Sequence, residues 1–321
     1  MLASNNEELA KWEEEAEEEV VAIVQVESAR QASPKEVASL VKIQEGAVPG
    51  KSTHVQMDLT PKKGQYDSLI TRICKIAEVA QERVKAVKAS PPCETFTLAD
   101  ASNISRRNHH RDHSDRNKPP RSEASCVTKK DWMRRRKAIK HDNMVKQLVR
   151  SFLRDRKNGA MYDLFMENPL GSLRQRPYMR GEAVEEELKR ITVNYCAFGA
   201  EYAKATDFWT TLAWEPKGST GNGKCCGGKC GQGVRKSNGR FLHTKVIAGA
   251  SDRSVKGPHR LKQLWKIPEK LTQEVVELLG PPKDGRDVII DLYSGGRSWE
   301  KAVIAKGYHY ISVDITAMET A

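Results

Sequence analysis

Long hydrophobic runs are missing from this sequence. No apolar stretch approaches the roughly 20 residues that a membrane-crossing helix needs, so no membrane partner is expected. Aromatic residues make up only 6% and hydrophobic residues 38%. That is low for a compact globule, and part of the chain is expected to be tail or long loop. Cysteine is scarce: 7 in 321 residues, at irregular spacing. This excludes a disulfide framework and, with no signal-peptide pattern at the start, points to a reducing, intracellular, non-secreted setting, the nucleus included for a eukaryotic source. Acidic charge is in deficit, with 42 Asp and Glu against 54 Lys and Arg, a net charge of +12. A polyanion is the natural partner for such a chain.

The charge is unevenly placed. Residues 1–50 carry an acidic block at Glu13–Glu15 and Glu17–Glu19, which reads as a solvated arm and linker. Residues 102–140 are the reverse. Arg106, Arg107, Arg111, Arg116, Lys129, Lys130 and Arg134–Lys137 crowd together there with few acids. A charge run is usually a solvated face, but this one directly follows an unusual cysteine, which favours phosphate contact through Arg106, Arg107 and Arg111.

That cysteine lies in Ser90-Pro91-Pro92-Cys93. Two prolines force an extended backbone and hold Cys93, stiff and exposed, at the end of a strand over 86–90. Such a placement suits a nucleophile better than a packing residue. Upstream, residues 53–58 read as a strand ending in Asp58. Apolar residues at helical spacing predict a helix over 66–84. A second strand, 161–166, runs into Glu167-Asn168-Pro169. A carboxylate, an amide and a proline there stand where open α/β sheets keep their sites. Helices are predicted over 142–156, 182–190 and 268–279, and a strand over 191–196 that includes Cys196 as a buried residue.

The last unit is the clearest. Residues 287–293 read as a buried parallel strand, Ser294-Gly295-Gly296-Arg297-Ser298 as a tight glycine turn, 299–306 as a helix, and 308–314 as a strand ending in Asp314. Glycines let a backbone approach a ligand, and an acid at the next strand end can accept ribose hydroxyls, so the unit fits a nucleoside-type cofactor. Between the two halves, residues 215–257 are rich in glycine and lysine. Cys225, Cys230 and His243 there have a spacing that suits structural zinc, with no evident fourth ligand; the alternative is a loop with reduced thiols.

Taken together, Asp291-Leu292-Tyr293-Ser294-Gly295-Gly296 through Asp314, Ser90-Pro91-Pro92-Cys93, Glu167-Asn168-Pro169 and Asp58 resemble the motifs of the cytosine-5 DNA methyltransferase family, especially its phage and viral-like members. The resemblance spans most of residues 53–314. It implies an α/β, Rossmann-like methyltransferase sheet with helices on both faces and flexible basic insertions. Residues 51–214 would be the catalytic half, 215–257 a small recognition region and 258–321 the cofactor-binding end. It further implies S-adenosylmethionine as cofactor, held by Asp291, Tyr293, Ser294, Gly295, Gly296, Trp299 and Asp314, with Asp58 near the adenine. Cys93 would be the nucleophile, Glu167 the group at the base's N3, and Pro92 and Asn168 the residues shaping their turns. DNA would be the partner and the protein a monomer.

Three departures from the family pattern stand out. The order is rotated, with the cofactor motif last, so the strand order is permuted. Arg297 stands where the family has a further glycine. A Gln-x-Arg-x-Arg motif is absent, and Arg174 and Arg176 are the candidates for its nucleic-acid contacts. Two other readings remain. An amino-group methyltransferase matches Ser90-Pro91-Pro92 but wants an aromatic residue where Cys93 stands. A catalytically inactive nucleic-acid-binding protein fits the rotated order and Arg297.

Overall fold

The computed structural model describes residues 44–45, 52–57, 68–97, 109–216, 228–239, 241–243, 266–283, 285–294 and 297–315. The acidic block, Asp58, Arg106, Arg107, Cys225, Gly295 and Gly296 lie outside the described residues.

The chain is a mixed α/β structure organised on one mostly parallel sheet. Its strands are β1 (Gln44–Glu45), β2 (Ser52–Met57), β3 (Val84–Ala89), β4 (Asp163–Pro169), β5 (Lys189–Asn194), β6 (Ala205–Thr210), β9 (Val288–Leu292) and β10 (His309–Ile315). They lie in the order β1-β2-β10-β9-β3-β4-β6-β5. β2, β10, β9, β3 and β4 pair in parallel, and β6 runs antiparallel to both neighbours. A separate hairpin pairs β7 (Gly233–Arg235) with β8 (Phe241–His243). The helices are α1 (Leu69–Ile76), α2 (Lys129–Lys157), α3 (Glu182–Glu187), α4 (Glu269–Leu279) and α5 (Glu300–Ala305).

Helices cover both faces, and the strands alternate accordingly. Val84, Val87 and Ala89 of β3, Leu164 and Met166 of β4, and Ile290 and Leu292 of β9 face α1, α2 and α3. Ala86, Phe165 and Ile289, from the same strands, face α4 and α5. Burial on both faces is what makes these strands near-continuous apolar runs. The order is compatible with a Rossmann-like sheet, with the chain crossing over between β9 and β3.

Two helices differ from their sequence reading. The helix expected over 66–84 is only α1, because Glu78 takes a left-handed φ of 54° and turns the chain out. The helix expected from 142 begins instead at Lys129. Thr128 and Asp131 form a reciprocal capping box there and carry part of the basic stretch into a 29-residue helix.

One charged pair sits inside the sheet. Lys88 Nζ lies 2.8 Å from Asp291 Oδ1 across the β3–β9 ladder, with both side chains almost wholly buried. Tyr310 donates to Asp291 Oδ2 at 2.6 Å. Burial still dominates and raises the Asp291 pKa. Removing one partner of such a pair strands the other, which costs about 3–5 kcal/mol. Lys88→Met is therefore expected to lower stability by about that amount in chemical denaturation, and Lys88→Met/Asp291→Asn to recover much of it.

Candidate active site

The parallel pairing of β3 with β4 sets Ala89 beside Met166. The next residues on each strand begin Ser90-Pro91-Pro92-Cys93 and Glu167-Asn168-Pro169, so both segments meet at the same edge. Asn168 is fully buried, and its Nδ2 donates to the Pro91 carbonyl at 3.2 Å. Ser90 N donates to Leu292 O at 3.1 Å, which ties the same edge to β9. Three chain-distant segments thus converge on one spot.

The thiol and the carboxyl group feel each other's charge there. Cys93 is half-buried rather than exposed, and desolvation first, then the Glu167 charge, push its pKa up to about 11, while Lys204 pulls it down. The expectation of an exposed thiol is therefore corrected: Cys93 is half-buried, and its surroundings favour the protonated thiol over the thiolate. Glu167 is buried, accepts from Tyr195 Oη at 3.0 Å and has Lys204 Nζ 3.6 Å away. Tyr195 and Lys204, from the two ends of the β5–β6 connection, are the site residues that sequence reasoning missed. No local motif marks them, because what places them is the antiparallel return of β6.

After Cys93 the chain makes a turn, with Phe96 N and Thr97 N both bonded to Cys93 O. Its far end is anchored by Ser172, whose N and Oγ donate to Phe96 O at 2.6 and 3.2 Å. Gly171 is required here by proximity: a Cβ on it would lie 1.8 Å from the Phe96 carbonyl oxygen. Below the turn, Asp142 of α2 receives Arg111 at 3.0 and 2.9 Å, Arg176 at 2.8 Å and Tyr178 at 2.7 Å. Arg111 also donates to Thr95 O at 2.7 Å and stacks 4.2 Å over the Phe96 ring. The thiol turn therefore rests on a buried, hydrogen-bonded plinth.

That plinth corrects the expected nucleic-acid contacts. Arg111 is 0% exposed and Arg176 7%, and both are consumed by Asp142, so neither reaches a phosphate. Arg174 pairs with Asp207 and donates to Thr192 at 3.1 Å, which fixes it to β5 and β6. The exposed cations nearby are others. Lys129, Lys130, Arg136 and Lys140 lie on the first turns of α2, with exposed Trp132 and Met133 among them. Lys137 of the same helix sits 2.5 Å from Glu94, the residue after Cys93.

At the β9 edge, Tyr293 N donates to Val313 O at 2.8 Å and Ser294 N to the same oxygen at 3.3 Å. This sets the start of the glycine turn against β10, and Asp314 follows Val313. Tyr293 and Arg297 both have left-handed φ, 60° and 47°. That conformation costs a side-chain-bearing residue roughly 1–2 kcal/mol, and such outliers gather at functional turns. At Arg297 it also means that the backbone keeps the conformation a glycine would favour. Asp291 and Trp299 are corrected as direct ligand contacts. The Asp291 carboxylate is held inside the sheet by Lys88 and Tyr310, and the Trp299 ring is 1% exposed and packs 5.2 Å from Phe165. Both support the turn from behind.

Three buried polar atoms at this edge, Ser90 Oγ, Asn168 Oδ1 and Ser294 Oγ, have no hydrogen-bond partner among the described residues. Native proteins leave few such atoms. All three lie at the carboxyl ends of neighbouring strands, β3, β4 and β9.

Of the residues expected to hold zinc, Cys225 lies outside the described residues. Among the described residues Cys230 and His243 come together, and Cys196 lies with them; Cys196 is in the short 3-10 turn after β5 and not in the expected strand.

The raised Cys93 pKa makes a chemical prediction. Iodoacetamide reacts with the thiolate, so alkylation of the Cys93 peptide, followed by mass spectrometry, is expected to accelerate up to about pH 11 rather than level off as an ordinary thiol does near about 8.5. Glu167→Gln removes a neighbouring negative charge and is expected to speed the reaction at any fixed pH below that. A slower reaction in the variant would contradict the coupling. No protein-family model matches the chain, and a search of curated proteins finds no match.

Proposed function

We propose that the protein is an S-adenosylmethionine-dependent methyltransferase acting on carbon 5 of cytosine in DNA. The observation that carries this reading is the convergence of a thiol, Cys93, and a carboxyl group, Glu167, at adjoining strand ends, with Asn168 clamping the two segments. Counting strands from β9, the parallel core reads 3-2-1-4-5 across β2, β10, β9, β3 and β4. This is the order of a doubly wound nucleotide-binding sheet, and the proposed cofactor edge falls at its switch point. The rotated motif order is thereby compatible with an undisturbed sheet.

The residues present fit the cofactor. Ser294 Oγ is a buried polar atom without a partner among the described residues, between Tyr293 and Arg297 with their left-handed backbone, and Asp314 stands at the end of the neighbouring strand. Ser294, the Gly295-Gly296 turn and Asp314 would hold it. When bound, it supplies an electrophilic methyl group on a sulfonium.

Carbon 5 of cytosine is a poor nucleophile until carbon 6 is attacked. Cys93 Sγ forms that bond, which makes carbon 5 enamine-like. The thiol must first lose its proton, and burial and Glu167 oppose this. Lys204 offsets part of the cost. A single proton path satisfies both ends: the carboxylate of Glu167 takes the thiol's proton and presents it as a hydrogen bond to N3 of the base. Tyr195 and Lys204 hold that carboxyl group in place. After methylation, water takes the proton from carbon 5, the electrons of that bond re-form the 5,6 double bond, and Cys93 leaves carbon 6 as a thiolate that recovers its proton from Glu167. The base must leave the duplex to reach these groups, and the cations on the first turns of α2 would hold the backbone beside the thiol turn.

The amino-group reading rests on Ser90-Pro91-Pro92 alone. In it Cys93 has no chemical role, although Lys204, Glu167 and the Asp142 plinth all bear on that residue.

Incubation with methyl-labelled cofactor and duplex DNA is expected to place label on carbon 5 of cytosine, and Cys93→Ser to abolish it while the protein still binds cofactor in calorimetry. Label on an exocyclic amine, retained in Cys93→Ser, would overturn the proposal. Binding should also be salt-dependent. Lys129→Ala/Lys130→Ala is expected to weaken DNA binding and to flatten the slope of log affinity against log salt by about 2, close to one for each phosphate that no longer meets a lysine.

A further inference from the structure

Cys196, Cys230 and His243 present their ligand atoms within 4.8 Å of one another. Cys196 is buried in the turn after β5, and Cys230 and His243 are half-buried. The latter two belong to the β7–β8 hairpin and the turn before it. Cys230 Sγ lies 3.6 Å from His243 Nε2. Tetrahedral zinc, with bonds of about 2.3 Å to sulfur and about 2.1 Å to nitrogen, separates such a pair by about 3.6 Å. Two thiolates and an imidazole select a borderline-soft ion over magnesium or calcium.

The hairpin itself needs such a link. Among its residues whose side chains are described, none belongs to either hydrophobic core, and Val234 is 60% exposed. Two short strands of three residues each do not hold together alone in water. The hairpin is shaped to deliver its ligands nonetheless. Gly228 takes φ 104° in close approach to the Phe241 ring, and Gly231 takes φ 67°, so the Cys230 turn folds back onto the strand that ends in His243. Gly233 pairs with His243, which places both ligands at the same end of the ladder.

We infer that Cys196, Cys230 and His243 bind a structural zinc ion that fastens the β7–β8 hairpin to the main sheet. The ion would supply the burial energy that the hairpin's sequence lacks. Its anchor on the sheet side is the residue next to Tyr195, the hydrogen-bond partner of Glu167, so the fastening also steadies the back of the candidate active site. The inference does not depend on methyl transfer.

The test uses the full chain. After removal of metal with a chelator and titration with zinc, elemental analysis is expected to find one equivalent per chain. Cys230→Ser and His243→Gln should each weaken binding tenfold or more in a competition assay with a chromogenic chelator. Cobalt in place of zinc should give the intense visible bands of a tetrahedral site together with thiolate charge transfer, a readout on the unmutated protein that a folding defect cannot mimic. Uptake no greater than that of Cys196→Ser/Cys230→Ser/His243→Gln, or a cobalt spectrum without thiolate charge transfer, would overturn the inference.

Discussion

The hydrogen bond from Asn168 to the Pro91 carbonyl is the constraint on which the rest of the site depends. Parallel pairing sets Ala89 of β3 beside Met166 of β4; the β3 chain then leaves the sheet into the Cys93 turn, while β4 continues to Pro169 against β6. The bond from Asn168, with those from Ser172 to Phe96 O, holds the thiol's turn against the strand that carries the carboxyl group. Asn168 is wholly buried, so its bond to Pro91 is made away from competing water, where such a bond holds best. The two prolines stiffen the segment it grips. The effect is to set Cys93 against Glu167, and in the proposed reaction that positioning is where catalysis would gain most.

Charge in this protein is used inward as much as outward. The chain is strongly basic, yet Arg111 and Arg176 end beneath the thiol turn on Asp142, and Lys88 ends inside the sheet on Asp291. Buried ion pairs contribute little net stability against an apolar alternative, but breaking one is costly. They therefore resist rearrangement, and here they underlie the edge where the backbone carries its strained residues, Tyr293 and Arg297. Among the described residues, exposed cations gather on the first turns of α2, where the proposed polyanion would meet them.

Much of the sheet was legible in the sequence. The unit from β9 through α5 to β10 announces itself because strands buried on both faces are continuous apolar runs, and a glycine turn separates them from the helix. The approach of Cys93 to Glu167 was legible for the same reason: one follows such a strand and the other lies near the end of the next. The roles of the arginines were not. Arg111 meets Asp142 from 31 residues away, and a dense run of cations hides which member is buried. The start of α2 was readable from Thr128 and Asp131, but Lys and Arg on most positions obscure the helical apolar stripe until Met144. Cys196 could not be paired with Cys230 by spacing, because the sheet, not the local chain, brings them together. Tyr195 and Lys204 escaped for the same reason.

The central claim is that Cys93 makes a covalent bond to carbon 6 of a flipped cytosine while Glu167 holds its N3. Duplex DNA carrying 5-fluorocytosine tests it most directly, since fluorine cannot leave as the proton does and the adduct persists. With S-adenosylmethionine present, the account predicts a denaturation-resistant protein–DNA complex whose cross-linked peptide contains Cys93. The complex should be absent in Cys93→Ser and strongly reduced in Glu167→Gln. A cross-link to any other cysteine, or a folded, cofactor-binding protein that forms none, would contradict it.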